Sequence, residues 1–401
     1  MPRHPDRYDR PDAGPHDART PGAPINPAGA GADAAASPEA AARPESPTGT
    51  VTATAWGGWP GTDPVESSRI IRGELGDPHL PFLVELPQRG PGSDPVGRTA
   101  SMLVDLYVDT QPHGWRLVER PGKDHRRAVS LLTQDLNALA DVVGEEERAG
   151  GGLKISLRGP LSLAANLHLH NGERALSDSG ARRDLLQSLI AGLDVYIARA
   201  LSSAPGAPIT VQVEEPEIAA VLGGQIPTAS GYRTLRSVPS SEVRSAWQQL
   251  REAANAAGAD AVFSVPRAES AGPLRPGTKS PFELARAAGA QGTALAADSL
   301  TARDWEGIAE AVEGGHRIWL GILPVPREGT EPAPVTRLVE SVLRPWGKLG
   351  LAAADLPVLR VTPAAGLADV SPDTARRMLT RLTGAASALD QVRAEGLPIR
   401  S

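Results

Sequence analysis

The chain has 401 residues, with 47 Asp and Glu against 41 Lys and Arg, a formal net charge of −6 and no Cys. That balance argues against a nucleic-acid binder, whose affinity needs a positive stripe to neutralise phosphates. The lack of Cys excludes disulfides, thiolate metal sites and Cys nucleophiles.

No apolar run approaches the ~20 residues that span a bilayer. Nor does a charged start lead into a short apolar stretch, as in a secretory signal. The expectation is a soluble, cytoplasmic protein with neither nucleic acid nor membrane as partner. Only four of the basic residues are Lys (Lys123, Lys154, Lys279 and Lys348), and Ala, Gly and Pro abound. We read that usage as the mark of a GC-rich genome.

The first 50 residues hold ten Pro, twelve Ala and five Gly but no Leu, Val, Phe or Trp. Such a segment cannot bury enough surface to offset roughly 1–2 kcal/mol of backbone entropy per residue. A disordered tail is predicted over 1–50, followed by one domain over 51–395. From Thr52, short β-type runs alternate with stretches of helical spacing. The runs are 52–56, 153–157, 209–213, 260–265, 292–296, 317–322 and 357–361, with an eighth expected near 115–119. Helices are expected over 63–74, 96–108, 123–149, 178–201, 240–257, 301–313, 334–348 and 372–390. In 240–257, Val243, Trp247, Leu250 and Ala254 share one helical face. Ser371 and Pro372 read as an N-cap and first helical residue. Eight strand–helix units predict an α/β fold, a (β/α)₈ TIM barrel with insertions, in which the Pro-, Gly- and Arg-rich stretch 76–99 is an insertion near the rim.

In such a barrel the chemistry sits just after the strands. After the first run come Trp56, Gly57 and Gly58, where paired glycines expose N–H groups to a ligand or simply make a tight turn. After 153–157, Arg158-Gly159-Pro160 opens a helix whose N-terminus is an anion site or an ordinary cap. After 209–213 stand Glu214, Glu215 and Pro216. Two carboxylates there can hold an ammonium group or share a proton, but strand neighbours point to opposite faces, so at most one faces a pocket directly. The ends after 260–265, 292–296 and 357–361 are chemically quiet: the first has no His or carboxylate before Glu269, the second has Asp298 as its nearest polar group, and the third has no titratable group before Asp369. His168 and His170 would face one way on a strand and diverge on a helix. The segment reads as a helix end, which argues against a metal site. His125 reads as a surface or capping residue with Asp124 as a possible cap, and Glu145, Glu146 and Glu147 as a solvated helix face.

In their order and spacing, TATAWGGWPGTDP, ISLRGPLSLA, VQVEEPEIAAVL and LRVTPAAGLADVSPDTARR resemble the catalytic barrel of the cobalamin-independent methionine synthases. GRTASMLVDL and PGKDHRRAVSLL are similar to the short, single-barrel actinobacterial group. The resemblance covers most of 51–390. It implies methyl transfer from a methylated folate to the thiol of homocysteine, with the amino acid held at Trp56, Gly57, Gly58, Glu214 and Glu215. Gly58 and Glu214 depart from the Ser and Asp common there.

The resemblance also implies zinc, bound in the family by His, two Cys and Glu. Those ligands would fall near Ser264 and Pro266, near Ala296 and at Ala365, none of which can serve, so no cofactor is expected from this sequence. Without zinc a thiol of pKa ~8.5 is only ~3% thiolate at pH 7. Two functions compete: a methionine-synthase-like methyltransferase with a degenerate zinc site, and a non-catalytic member binding an amino acid, a pterin-like ligand or a protein partner. A barrel enzyme using Glu214 or Glu215 in acid–base chemistry on another substrate is a third.

Overall fold

The alternating residues of 153–158 and 209–214 make stable strands only if both faces are covered, one by helices and one by the inside of a curled sheet. The computed structural model describes residues 49–146, 151–265, 274, 277–396 and 399, all within one unit spanning 44–401. Among these residues seven strands form one parallel sheet. They are β1 (Thr52–Ala53), β4 (Leu153–Arg158), β5 (Ile209–Glu214), β6 (Ala259–Ser264), β7 (Gly292–Ala296), β8 (Arg317–Leu323) and β9 (Leu359–Pro363). Their order is β1-β9-β8-β7-β6-β5-β4. Each overlaps one of the predicted runs, and the curl is consistent with a TIM-like barrel.

The two ends of the sheet, β1 and β4, are joined by a stretch expected to be a rim insertion. Leu80 N donates to Ala53 O (2.9 Å) and Glu85 N to Gly57 O (2.8 Å). On the other side Leu83 N donates to Lys154 O (2.8 Å), and Lys154 N to Pro81 O (2.9 Å). Residues 80–85 therefore lie between the end strands, and all six are buried. Pro78, Pro81 and Pro87 mask the stretch in sequence, because a proline supplies no N–H to a ladder. The eighth run expected at 115–119 is not in this sheet. It belongs to β3 (Gly114–Val118), which pairs antiparallel with β2 (Tyr107–Gln111) as a separate hairpin.

The helices are α1 (Pro64–Glu74), α2 (Pro95–Ala100), α3 (Lys123–Glu145), α4 (Pro160–Asn166), α5 (Ser179–Ser203), α6 (Ile218–Gly223), α7 (Ser240–Ala256), α8 (Pro281–Ala287), α9 (Ala302–Glu313), α10 (Val335–Lys348) and α11 (Pro372–Ala394). The helix expected over 96–108 stops at Ala100, ahead of Asp105, which turns the chain at φ 60° into the hairpin. The short α6 and α8 carry too few residues for a periodic signal. Ser371 caps α11 as expected, accepting from Thr374 N at 3.2 Å. Residues 1–48, the body of the predicted tail, and 147–149, the predicted end of α3, lie outside the described residues.

Two apolar groups lie on the two sides of the sheet. Outward residues such as Ile155, Val213, Phe263 and Leu320 join the helices in the large core, where Phe263 packs on Trp247 of α7 at 4.9 Å between ring centres. Inside, Leu80, Val262, Ala294 and Trp319 form a second cluster with Trp56 against it. Burying each large side chain contributes about 1.5–3 kcal/mol. Among the described residues α5 is the one helix long and apolar enough to match a membrane span, with half of that window buried inside the protein.

Candidate functional site

Register places the inner residues of β4 and β5 side by side. Ser156 pairs with Gln212 and Arg158 with Glu214, so alternation turns Lys154, Ser156 and Arg158 to the same side as Gln212 and Glu214. A cavity of about 310 Å³ opens at the C-terminal ends of the strands. Trp56, Arg158, Glu214, Pro216, Ser264 and Ala296 line it, with Val265, Ala294, Leu295, Ser299 and residues 364–366. One wall is charged and the rest is mostly apolar.

The charged wall is an ion pair backed by a buried polar chain. Arg158 Nη1 stands 3.6 Å from Glu214 Oε2. Glu214 Oε1 accepts from Gln212 Nε2 (3.2 Å), and Gln212 Oε1 accepts from Lys154 Nζ (2.7 Å). Lys154 Nζ also donates to Ala55 O and lies 5.1 Å from the ring centre of Phe82. Lys154 is fully buried, and burial pulls its ammonium down to about 7 against the opposing pull of Glu214 and Glu85. Glu85 is pushed up to about 7 by burial, with Arg98 working against the rise. Arg98 and Arg89 share the buried carboxylate of Asp135 on α3. Sequence reasoning missed Lys154, Gln212 and Glu85. The polar positions Lys154, Ser156 and Arg158, alternating with Leu153, Ile155 and Leu157 along one strand, were the available sign.

The two adjacent glutamates part company. Glu214 lines the cavity. Glu215 points the other way, fully buried, and accepts from Ser162 N (2.7 Å), Leu161 N (3.2 Å) and Trp247 Nε1 (2.8 Å). It therefore ties the start of α4 to α7, and burial raises its carboxyl to about 6 although these bonds oppose the rise. The approach needs Gly159, since a Cβ there would stand 2.4 Å from Glu215 Cδ.

Trp56 reaches the cavity and donates from Nε1 to Pro363 O (2.8 Å). Gly57 packs beneath Glu85, where a Cβ would meet Glu85 Cδ at 2.9 Å, and Gly58 bridges to Glu85 through the backbone. Neither glycine is part of the cavity lining.

The histidines read differently in three dimensions. α4 ends at Asn166, and His168 sits in an extended stretch hydrogen bonded to Trp115 and Leu117. It is buried edge-on to His113, with ring centres 4.6 Å apart, whereas His170 is exposed in the following turn. His125 is buried against Tyr107 rather than on the surface, and burial lowers its ring from the usual histidine range. The α3 N-terminus is held by Asp109 of β2, which accepts from Asp124 N (3.0 Å). Glu145 and Glu146 pair with Arg69 and Arg72 of α1, and Glu147 lies outside the described residues.

The positions where the resemblance puts zinc ligands converge: Ser264, Ala296 and Ala365 all line the one cavity, and Pro266 lies outside the described residues. Their chemistry does not fit zinc, because one hydroxyl and two methyl groups are not a donor set for it. Among the described residues no group of three or more His, Asp or Glu is placed to hold a metal ion.

No protein-family model and no curated protein matches the chain. Among solved structures, a GH5_18 protein from Streptomyces cattleya in complex with Manb1-4GlcNAc is 14% identical, over 84% of this chain and 77% of that one, with a TM-score of 0.37. The carboxyl transferase domain of Rhizobium etli pyruvate carboxylase with pyruvate is 11% identical, over 90% of this chain and 60% of that one, with a TM-score of 0.31. Identities this low leave the chemistry of those proteins with those proteins.

Proposed function

We propose that the chain is a cytoplasmic, methionine-synthase-like (β/α)₈ barrel, with residues 80–85 as its second stave, that binds a methionine- or homocysteine-like amino acid and lacks the zinc-dependent step. The observation that carries this reading is the Arg158–Glu214 pair on one wall of a largely apolar cavity. An α-amino acid presents an ammonium and a carboxylate on neighbouring atoms and an apolar side chain behind them. Glu214 takes the ammonium. Arg158, whose Nε is buried without a partner among the described residues, has donors to spare for the carboxylate. The thioether or thiol then lies toward Val265, Ala294, Leu295 and Ala296. A thiol directed at Ser264, Ala296 and Ala365 meets no group that would take its proton, so transfer from a methylated folate is slowed at least by the ~3% thiolate fraction at pH 7.

Isothermal titration with L-methionine, L-homocysteine and the deaminated analogue 4-(methylthio)butanoate tests the reading. The amino acids are expected to bind at least ten-fold more tightly than the analogue, and Glu214→Gln is expected to abolish that preference. A charge-assisted hydrogen bond of ~1.5–3 kcal/mol supports that size of effect. Absence of binding by any of the three, or an unchanged preference in Glu214→Gln, would overturn it. In parallel, formation of labelled methionine from homocysteine and a methylated folate at a rate typical of enzymes would restore the methyltransferase.

A further inference from the structure

Glu214 stands at the end of a buried relay that the ion pair with Arg158 does not require. Lys154 is fully buried and Gln212 is 1% exposed, and neither lines the cavity. Lys154 Nζ donates to Ala55 O and to Gln212 Oε1 (2.7 Å), two bonds that its charged and neutral forms both have the hydrogens to make, so the Gln212 oxygen faces the lysine. The amide nitrogen is thereby turned to Glu214 Oε1, at 3.2 Å. Placing a lysine inside the sheet without a carboxylate in direct contact is costly for folding. Besides its bond to Ala55 O and its place over the Phe82 ring, its return is the direction it imposes on one amide.

We propose that Lys154 and Gln212 are positioning residues for Glu214: the Lys154 amine sets the Gln212 amide, the amide holds Glu214 Oε1, and Oε2 is left beside Arg158 to meet the ammonium of the ligand. The proposal rests on the reading of the cavity as an amino-acid site. Freed from the amide, the Glu214 side chain populates other rotamers and the ammonium contact weakens. The carboxylate contact, which Arg158 makes, does not depend on the relay.

This separates a positioning role from a merely structural one. In Gln212→Met, close in volume, L-methionine affinity is expected to fall about ten-fold, with that of 4-(methylthio)butanoate unchanged. Lys154→Met should shift the same ratio in the same direction. Gln212→Asn, which keeps an amide but shortens its reach by one methylene, carries the test if the Met variant does not fold. Equal weakening of both ligands, or a wild-type ratio in the Gln212 and Lys154 variants while Glu214→Gln abolishes it, would overturn the relay and leave the amino-acid site standing. An unchanged ratio in Glu214→Gln itself would remove the site, and the relay with it.

Discussion

Replacing Glu215 by Ala distinguishes the carboxylate that serves the fold from the one that faces the cavity. The change removes a fully buried acceptor from Leu161 N, Ser162 N and Trp247 Nε1. Each buried donor left unpaired costs ~1–3 kcal/mol. Against that stands the relief of no longer burying a charge. The carboxyl is raised from 4.5 to about 6, which at 1.36 kcal/mol per unit is about 2 kcal/mol at neutral pH. The net loss at pH 7 is on the order of 1–5 kcal/mol, after water entering the space recovers part of the bonds. The sign of the pH dependence follows from the raised value. Between about 4.5 and 6 the folded state holds more protons than the unfolded, so this group's contribution is complete at low pH and is lost as pH rises through about 6. The gap between wild type and Glu215→Ala should therefore widen by up to about 2 kcal/mol between pH 7 and pH 4.5. Urea unfolding followed by Trp fluorescence at the two pH values measures it, beside L-methionine binding at pH 7. Wild-type stability together with weakened binding would show that Glu215 faces the ligand, and the division between the two glutamates would fail.

Three further outcomes are expected. Lys154 is lowered from 10.5 to about 7, so the unfolded chain holds the extra proton between those values and wild-type stability gains from this group as pH rises across them. Any advantage of Lys154→Met at pH 7 should shrink by several kcal/mol toward pH 10, and a pH-independent difference in urea midpoints would contradict this. Gly57→Ala drives a methyl group to 2.9 Å from the buried carboxyl carbon of Glu85 and should cost about 1–3 kcal/mol; a melting temperature equal to wild type would show that Glu85 can yield. The combined variant Ser264→His, Ala296→Glu and Ala365→Cys puts three zinc ligands around one cavity and should retain zinc stoichiometrically after dialysis. Metal content at background level would show that the three positions do not converge closely enough.

The strands and long helices were legible because their signals are local. Alternation at 153–158, the Val243-Trp247-Leu250-Ala254 face and the Ser371 cap each depend on residues a few positions apart. The stretch that joins the sheet's ends was not, because its prolines break the local pattern and its pairing depends on β1 and β4, about 30 and 70 residues away in the chain. The site divides in the same way. Sequence alone settled that Glu214 and Glu215 close a strand and oppose each other, that no Cys exists, and that the residues at 264, 296 and 365 carry a hydroxyl and two methyl groups. Only the tertiary structure decided which glutamate turns inward, that Gly57 and Gly159 make room for buried carboxylates, and that Lys154 and Gln212 stand behind the cavity wall. Those outcomes depend on register and curl, which bring the inner faces of separate strands together and leave no trace in the order of residues along any one of them.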